Sequence, residues 1–174
     1  ICIDTVSDSG MAALRSVLDI PVIGPGRIMF LTALMLGEKF SIITMWKEWF
    51  GLYHKTLTEL NMHEKCSSIR SIDVIPDNRE LLKGKESNIV PLLVEASKKC
   101  IEKDGADVIC LGSTTMHQAH EILQKELSVP VFWGLQMLTS DGPIFGNPPK
   151  AFIRDLEEGI SLSLIHISEP TRPE

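Results

Sequence analysis

Short apolar runs alternate with helical patterns of apolar residues along most of the 174-residue chain, and this alternation limits the fold more than any other feature. Each run is rich in Val and Ile and too short to form a helix, which is typical of a strand buried on both faces. A regular order of strand, helix and strand is typical of βα units, which build a parallel sheet with helices on both faces. The sequence therefore predicts an α/β fold with a three-layer, flavodoxin-like arrangement.

The apolar spacing also predicts where the elements lie. Strands are expected near residues 1–4, 21–24, 40–44, 68–74, 107–111 and 129–132, and helices near 9–18, 27–36, 50–62, 87–103 and 116–127. In the fourth helix the apolar residues recur at three- and four-residue steps, and Gly105 follows where a helix commonly ends. Residues 76–86 are predicted as a polar surface loop, and a short helix is expected at 151–158.

The charge of the chain argues against nucleic acid and anionic membranes as partners. It carries 17 Lys and Arg residues against 23 Asp and Glu residues, a net charge of -6, and no basic stripe. Binding to either partner depends on neutralising phosphate groups. The longest apolar run, residues 28–36, has about half the length that a membrane-spanning helix needs. The expected partner is therefore a small molecule.

The chain has four widely spaced cysteines, at Cys2, Cys66, Cys100 and Cys110. Their spacing matches neither a disulfide framework nor a zinc pattern, which favours a reducing, cytoplasmic compartment. His54 and His63 have no acidic partner at a spacing typical of metal ligands. The sequence thus predicts no metal site.

Two stretches of the chain resemble each other. Aligning Cys2 with Cys110 pairs the segment CIDTVSD with CLGSTTM, so Thr5 and Ser113 fall at the same place. A predicted helix follows in both copies, and then a strand that begins with Pro-Val. The two copies differ in length by one residue, which indicates a duplicated half and a pseudo-two-fold axis.

Both hydroxyl-bearing segments come where a strand ends and a helix begins, the place where open α/β sheets bind ligands. Unpaired backbone N–H groups and the helix dipole favour negative charge there. Further donors would come from the hydroxyls of Thr5, Ser7, Ser113, Thr114 and Thr115. The pattern predicts a small anion such as a carboxylate as ligand. The alternative is that Ser7, Asp8 and Thr115 serve only as helix caps.

These residues resemble the aspartate/glutamate/hydantoin racemase superfamily. One family motif, a strand followed by a short Asp- and Gly-containing segment and a helix, is matched by TVSDSGM at 5–11. The second, a Gly-Ala-Asp strand, is matched by GADVICLGS at 105–113, and the segments IPVIG at 20–24 and LGEKFSIIT at 36–44 are similar to the hydantoin racemase branch. The resemblance covers residues 1–132. It implies two similar α/β halves with a substrate cleft between them.

The resemblance also implies an activity: an isomerase, racemase or epimerase, that acts without a cofactor at the α-carbon of a small amino acid, hydantoin or related carboxylate. In the family one thiolate removes the α-proton and a thiol on the opposite face returns one. Here both cysteine positions hold hydroxyls, those of Thr5 and Ser113. An alkyl hydroxyl is a far weaker proton acceptor near neutral pH than a thiol, whose pKa is about 8.5. The resemblance further implies a homo-oligomer.

Three accounts of the cleft follow from this replacement. In the first, racemase chemistry is retained and His117, four residues after Ser113, activates its hydroxyl as in a Ser–His pair. In the second, the cleft isomerises or decarboxylates a carboxylate substrate whose anion the hydroxyls bind. In the third, the protein binds an anion without chemistry. The residues expected to act are Thr5, Ser113 and His117 as catalytic groups, and Ser7, Asp8, Gly112, Thr114 and Thr115 as substrate-binding groups.

Further candidates lie close to the same segments. Trp46 and Trp49 follow the predicted strand at 40–44 and are expected to line the pocket. His120 lies on the apolar stripe of its helix and is predicted to pack. Cys2 and Cys110 precede the two hydroxyl positions by three residues, an odd offset that turns a strand residue to the opposite face, so both are expected in the core.

The two ends of the chain differ from its middle. The first residue, Ile1, lies within an apolar run and is not Met, so we expect that part of the family domain precedes it. Residues 162–174 resemble the translation of a sequencing-library adaptor, and we expect a non-native tail there. On this interpretation residues 1–161 form one racemase-like α/β region whose first half lacks its beginning.

Overall fold

A computed structural model describes residues 1–75, 86–134 and 136 of the protein. Its helices and strands, in chain order, are α1 (Met11–Val17), α2 (Pro25–Leu36), β1 (Phe40–Thr44), α3 (Phe50–Leu60), β2 (Cys66–Ser71), α4 (Glu86–Glu102), β3 (Val108–Leu111), α5 (His117–Glu126) and β4 (Val131–Trp133). Short 3₁₀ turns lie at Lys47–Trp49, His63–Lys65 and Thr114–Met116. The helix predicted at 151–158 and the loop predicted at 76–86, apart from its last residue, lie outside the described residues.

Within the described part, four strands form one parallel sheet in the order β2-β1-β3-β4. Phe40 of β1 lies opposite Cys66 of β2 and Val108 of β3, and Ile109 of β3 lies opposite Val131 of β4. A helix joins each strand to the next in the chain, as parallel pairing requires. The chain runs outward from β1 to β2 and then crosses to β3 on the other side, so the order reverses between β1 and β3. The predicted parallel α/β fold is confirmed.

Helices cover both faces of this sheet. On one face, α2 and α3 pack over a core in which the rings of Phe30 and Phe40 stack with centroids 5.1 Å apart. On the other face, α4 and α5 contribute the buried Leu93 and Leu123. Because successive residues of a strand point to opposite faces, β3 supplies apolar side chains to both cores. The result is the predicted three-layer arrangement.

Two predicted strands are shorter than expected, and β2 is displaced. The strands predicted nearest the start of the chain pair only through Cys2 and Ile23, which form a single parallel bridge. Strand β2 ends at Ser71, and Asp73, two residues later, adopts a left-handed backbone with φ 55°. The other predicted elements agree with the structure to within a few residues.

The helices are bounded much as their spacing predicts. Gly105, with φ 71°, follows α4, and the amide of Ala106 donates to the carbonyl of Cys100 at 3.0 Å. Among the described helices, none is both long and apolar enough to cross a membrane.

Candidate active site

The two similar segments repeat the same strand pairing. Cys2 is bridged in parallel to Ile23, and in the second copy Cys110 of β3 lies opposite Phe132 of β4. These are the residues that the sequence alignment of the copies places together. The internal repeat therefore extends to the backbone hydrogen bonding of both copies.

The turns after these strands are also alike. In the first copy the carbonyl of Thr5 accepts from the amide three residues later at 3.0 Å, and Thr5 Oγ1 lies 2.9 Å from Ser7 Oγ. In the second copy the carbonyl of Ser113 accepts from the amide three residues later at 3.1 Å, and Ser113 Oγ lies 2.8 Å from Thr115 Oγ1. Each copy thus has, after its paired segment, a tight turn with a pair of bonded hydroxyls.

Both segments border one cavity of about 230 Å³. It lies beyond the carboxyl ends of β1 and β3, where the strand order reverses and where sheets of this kind commonly bind ligands. The residues that line it are Thr5, Val6, Ser7, Trp49, Leu52, Tyr53, Gly112, Ser113 and Thr114. The structure therefore brings together five of the predicted site residues, from both copies, around one small space.

Gly112 is clamped to the end of β1. Its amide donates to the carbonyl of Ile43 at 2.7 Å, and its carbonyl accepts from the Tyr53 hydroxyl at 2.7 Å. The same hydroxyl lies 2.7 Å from Thr44 Oγ1. A Cβ atom at Gly112 would lie 2.7 Å from the Tyr53 oxygen, so a side chain does not fit there. This clamp fixes the residue immediately before Ser113.

Asp8 ties the first copy to α2. It is buried, and its two carboxylate oxygens accept the amides of Gly26 and Arg27, each at 2.9 Å. Burial raises the pKa of Asp8 above its ordinary value, while these two amides act against the rise. Asp8 is predicted as a substrate ligand or a helix cap. The structure uses both oxygens to cap α2 and leaves Asp8 out of the cavity lining.

The expected Ser–His pair does not form. Among the described residues no hydrogen bond joins His117 to Ser113; His117 Nδ1 lies 3.0 Å from the carbonyl oxygen of Thr114 instead. The exposed imidazole packs against Trp133, with ring centroids 5.5 Å apart. Residues three and four apart are neighbours on an α-helix, but a 3₁₀ turn separates Ser113 from α5, so that relation does not hold here.

The remaining candidates divide between cavity and core. Trp49 lines the cavity, whereas Trp46 packs against the core beneath α4 and α5. His120 is partly buried, with Nε2 2.9 Å from the carbonyl oxygen of Val131, which agrees with its predicted packing role. Thr115 is bonded to Ser113 but does not line the cavity.

The cysteines, all within the described residues, are poorly suited to act as bases. Burial raises the pKa of Cys2 and of Cys66 to about 12, and it also raises the pKa of Cys100 and Cys110. Cys110 is fully buried as predicted, while Cys2 is only half-buried. A thiol with a raised pKa remains protonated near neutral pH, and only the thiolate accepts a proton.

The lining carries hydroxyl, aromatic and aliphatic side chains. Thr5 and Ser7 approach from one copy and Ser113 and Thr114 from the other, so hydroxyls can donate hydrogen bonds to a ligand from both. The first hydroxyl pair continues to the exposed Ser9, whose Oγ lies 2.8 Å from that of Ser7. In the described part of the chain, no three His, Cys, Asp or Glu side chains are grouped as a metal ion requires.

Sequence reasoning missed Tyr53, together with Val6 and Leu52. Tyr53 is the one tyrosine of the chain, and it precedes the buried Leu57 by one helical turn. A phenol on the apolar face of a helix needs a hydrogen-bond partner when it is buried, and that requirement was the available signal.

Comparisons with known proteins agree on one family. The sequence model described as "Asp/Glu/Hydantoin racemase" matches residues 1–141. A hydantoin racemase of Pseudomonas sp. (strain NS671) is 30% identical over 130 residues, which cover 74% of this chain and 50% of the relative. The chain spans about half the length of the curated relatives it matches.

Solved structures show a similar fold. An allantoin racemase from Klebsiella pneumoniae has a TM-score of 0.71 at 25% identity, with 91% of this chain and 59% of that chain covered. An allantoin racemase from Pseudomonas fluorescens has a TM-score of 0.70 at 22% identity, with coverage of 99% and 68%. The second likeness supports the fold alone.

Proposed function

The chain belongs to the Asp/Glu/hydantoin racemase family, and on that premise we propose that it is a racemase- or epimerase-like isomerase that needs no cofactor. Its substrate would be a small amino acid, hydantoin or related carboxylate that loses a proton at the α-carbon. The observation that carries the proposal is that both hydroxyl-bearing segments border the same cavity of about 230 Å³. Inversion at a carbon requires groups on its two sides, and the repeat supplies a hydroxyl from each copy.

In this proposal Thr5 and Ser113 flank the reacting carbon. A neutral hydroxyl is a weak base, so the one that takes the α-proton would act as its alkoxide, formed by loss of its own proton to solvent. The neighbouring hydroxyl, Ser7 beside Thr5 or Thr115 beside Ser113, would stabilise that alkoxide before the transfer, and the hydroxyl on the opposite side would give its proton to the carbon. Assistance from His117 would require its ring to leave the Thr114 carbonyl. Ser7, Gly112 and Thr114 would bind the substrate, through hydroxyl donors and the backbone, as the lining of the cavity allows.

The replacement of both thiols favours a second candidate, a protein that binds a small carboxylate without turning it over. The hydroxyls can bind an anion in the ground state as well as a developing negative charge. Isomerisation or decarboxylation of a carboxylate substrate would use the same anion contacts. Retention of the α-proton distinguishes plain binding from racemisation.

The experiment that tests the proposal is NMR detection of α-proton loss in D₂O. The substrates are single enantiomers of 5-substituted hydantoins, allantoin, aspartate and glutamate. We expect exchange with at least one of them, about 100-fold slower in Ser113→Ala and in Thr5→Ala. Ser16→Ala is the matched control, since Ser16 is exposed and bonds only within α1.

A gain-of-function arm sharpens this test. The double substitution Thr5→Cys with Ser113→Cys places the better proton acceptor at both positions and is expected to speed exchange. Exchange that persists unchanged in Ser113→Ala would refute the proposed roles. Binding without exchange, in both the wild type and the double cysteine variant, would favour the anion-binding candidate.

A further inference from the structure

The buried phenol of Tyr53 joins the ends of two strands beside the cavity. Tyr53 lies in the first turn of α3 and is only 2% exposed. Its hydroxyl lies 2.7 Å from Thr44 Oγ1 and 2.7 Å from the carbonyl oxygen of Gly112. A carbonyl can only accept, so the single phenolic proton is donated to Gly112, and Thr44 must in turn donate to Tyr53. The order of the three groups is therefore fixed.

The backbone of Gly112 is held at both of its polar groups by these hydrogen bonds. Its amide is bound to the carbonyl of Ile43, and its carbonyl is bound to Tyr53. A Cβ atom at Gly112 would meet Tyr53 Oη at 2.7 Å and Cζ at 2.9 Å. The position of Gly112, and hence of the residue that follows it, depends on where the phenol lies.

The first copy of the repeat is held by different means. There the turn that bears Thr5 is fixed by Asp8, whose carboxylate caps α2. The second copy has Met116 at the corresponding place, and its turn relies on the neutral Tyr53 and Thr44. We call the side of the cavity with Thr5 and Ser7 the first wall and the side with Ser113 and Thr114 the second wall. The two walls thus have independent supports.

We propose that Tyr53 is the positioning residue for Ser113: through the Gly112 carbonyl it sets where the Ser113 hydroxyl stands in the cavity. This inference deepens the proposed function and rests on it only for its kinetic consequence. Loss of the phenolic oxygen leaves the Gly112 carbonyl and the Thr44 hydroxyl without their partner in a buried place, so the second wall relaxes while the first is unaffected. The pKa of Tyr53 is raised by burial to about 12, so the phenol remains a donor at neutral and moderately alkaline pH.

The test compares Tyr53→Phe with wild type by amide NMR, which needs no substrate. We expect the amide resonances of Ser113 and Thr114 to move and the Gly112 amide to exchange with solvent at least about 10-fold faster, since each 1.4 kcal/mol is tenfold in an equilibrium. The resonances of Thr5 and Ser7 should stay in place. Equal movement at both walls, or none at Ser113, would overturn the proposal.

Thr44→Val provides a milder variant in case Tyr53→Phe folds poorly. It removes the donor to the phenol and keeps the shape of the side chain, so the same resonances should move by less. Thr56→Val is the matched control, because Thr56 is a buried threonine of α3 whose hydroxyl contacts only its own helix, at Leu52.

A double-substitution cycle and kinetics complete the design. Gly112→Ala alone should disrupt the second wall, and adding Tyr53→Phe should restore part of the loss, because the nearest clashing atom is then gone. Additive effects of the two substitutions would contradict the contact between Tyr53 and Gly112.

Where a substrate is turned over, Tyr53→Phe is expected to lower kcat about 10-fold or more with KM nearly unchanged. Absence of turnover in the wild type would overturn the proposed function and leave the amide result to decide the role of Tyr53.

Discussion

At the scale of single residues, Asp8 and Asp104 show how the surroundings of a carboxyl group can shift its pKa in opposite directions. Burial raises the pKa of Asp8, although two amides bind its carboxylate. The Arg70 guanidinium, which bonds Asp104 through Nε at 2.6 Å and Nη2 at 2.8 Å, lowers the pKa of that carboxyl. Ser68 adds a third hydrogen bond to Asp104 at 2.6 Å. The second carboxylate therefore stabilises the fold in its charged form.

The pKa of Asp104 predicts how this stabilisation varies with pH. A folded-state pKa below the unfolded value of about 3.9 contributes stability that is present above that value and lost as pH falls through the folded pKa. We expect Asp104→Asn to lower the free energy of unfolding by about 1–3 kcal/mol near neutral pH and by less in acid. Urea unfolding over a pH series measures the difference, with the exposed Asp19→Asn as control. A difference that stays constant into acid would contradict this explanation.

Single-residue roles were partly predictable from the sequence. The hydroxyls of Thr5 and Ser113 could be placed together, because the internal repeat that aligns Cys2 with Cys110 sets both at the same position. The cap that Asp8 provides and the bond from Tyr53 to Gly112 could not, because each joins residues far apart in the chain through packing that no local pattern records. The expected hydrogen bond between Ser113 and His117 is absent from the described residues, because a 3₁₀ turn with no distinct sequence signal precedes α5.

At the scale of elements, the start of α2 passes close to the first hydroxyl-bearing segment. A Cβ atom at Gly26 would lie 2.0 Å from the carbonyl oxygen of Val6, which is a clash with backbone. Val6 lies between Thr5 and Ser7 in the cavity lining. The position of the helix and the shape of the cavity are thus linked through a glycine.

Two Gly-to-Ala substitutions distinguish the effect of this close approach on stability from the effect of helix propensity. Gly26→Ala should destabilise the protein by about 1–3 kcal/mol, because α2 must shift away from Val6. Gly51→Ala, near the start of α3 with open space around it, should stabilise by about 0.5–1 kcal/mol. Thermal and urea unfolding of both variants give the two signs. If Gly26→Ala also stabilised the protein, α2 would not pack this closely against Val6.

The elements themselves were the most predictable part of the fold. Apolar periodicity located β1 and the helices to within a few residues, since both depend on local spacing. The strands near Cys2 and Ile23 were overestimated, because their length depends on which neighbours pair with them. The polar edge strand β2 was shifted for the same reason.

At the scale of the whole molecule, the sequence predicts that residues 162–174 take no part in the fold. Deletion of these residues is therefore expected to leave the midpoint and cooperativity of unfolding unchanged, and the α-proton exchange as well. Calorimetry and the NMR assay measure both quantities. A deletion that also removes β4, from residue 131 onward, serves as control and should abolish cooperative unfolding, because Val131 and Phe132 are buried in the cores of the sheet. A lowered midpoint in the shorter deletion would show that the tail belongs to the folded protein.

The internal repeat affects how mutations can change the two walls of the cavity. In a site built by two identical subunits, one codon change alters both walls at once. Here separate stretches of one reading frame encode the walls, so a substitution can alter one wall alone, and the walls differ by the methyl group that Thr5 has and Ser113 lacks. We therefore expect the two sides of a bound ligand to meet unequal bulk.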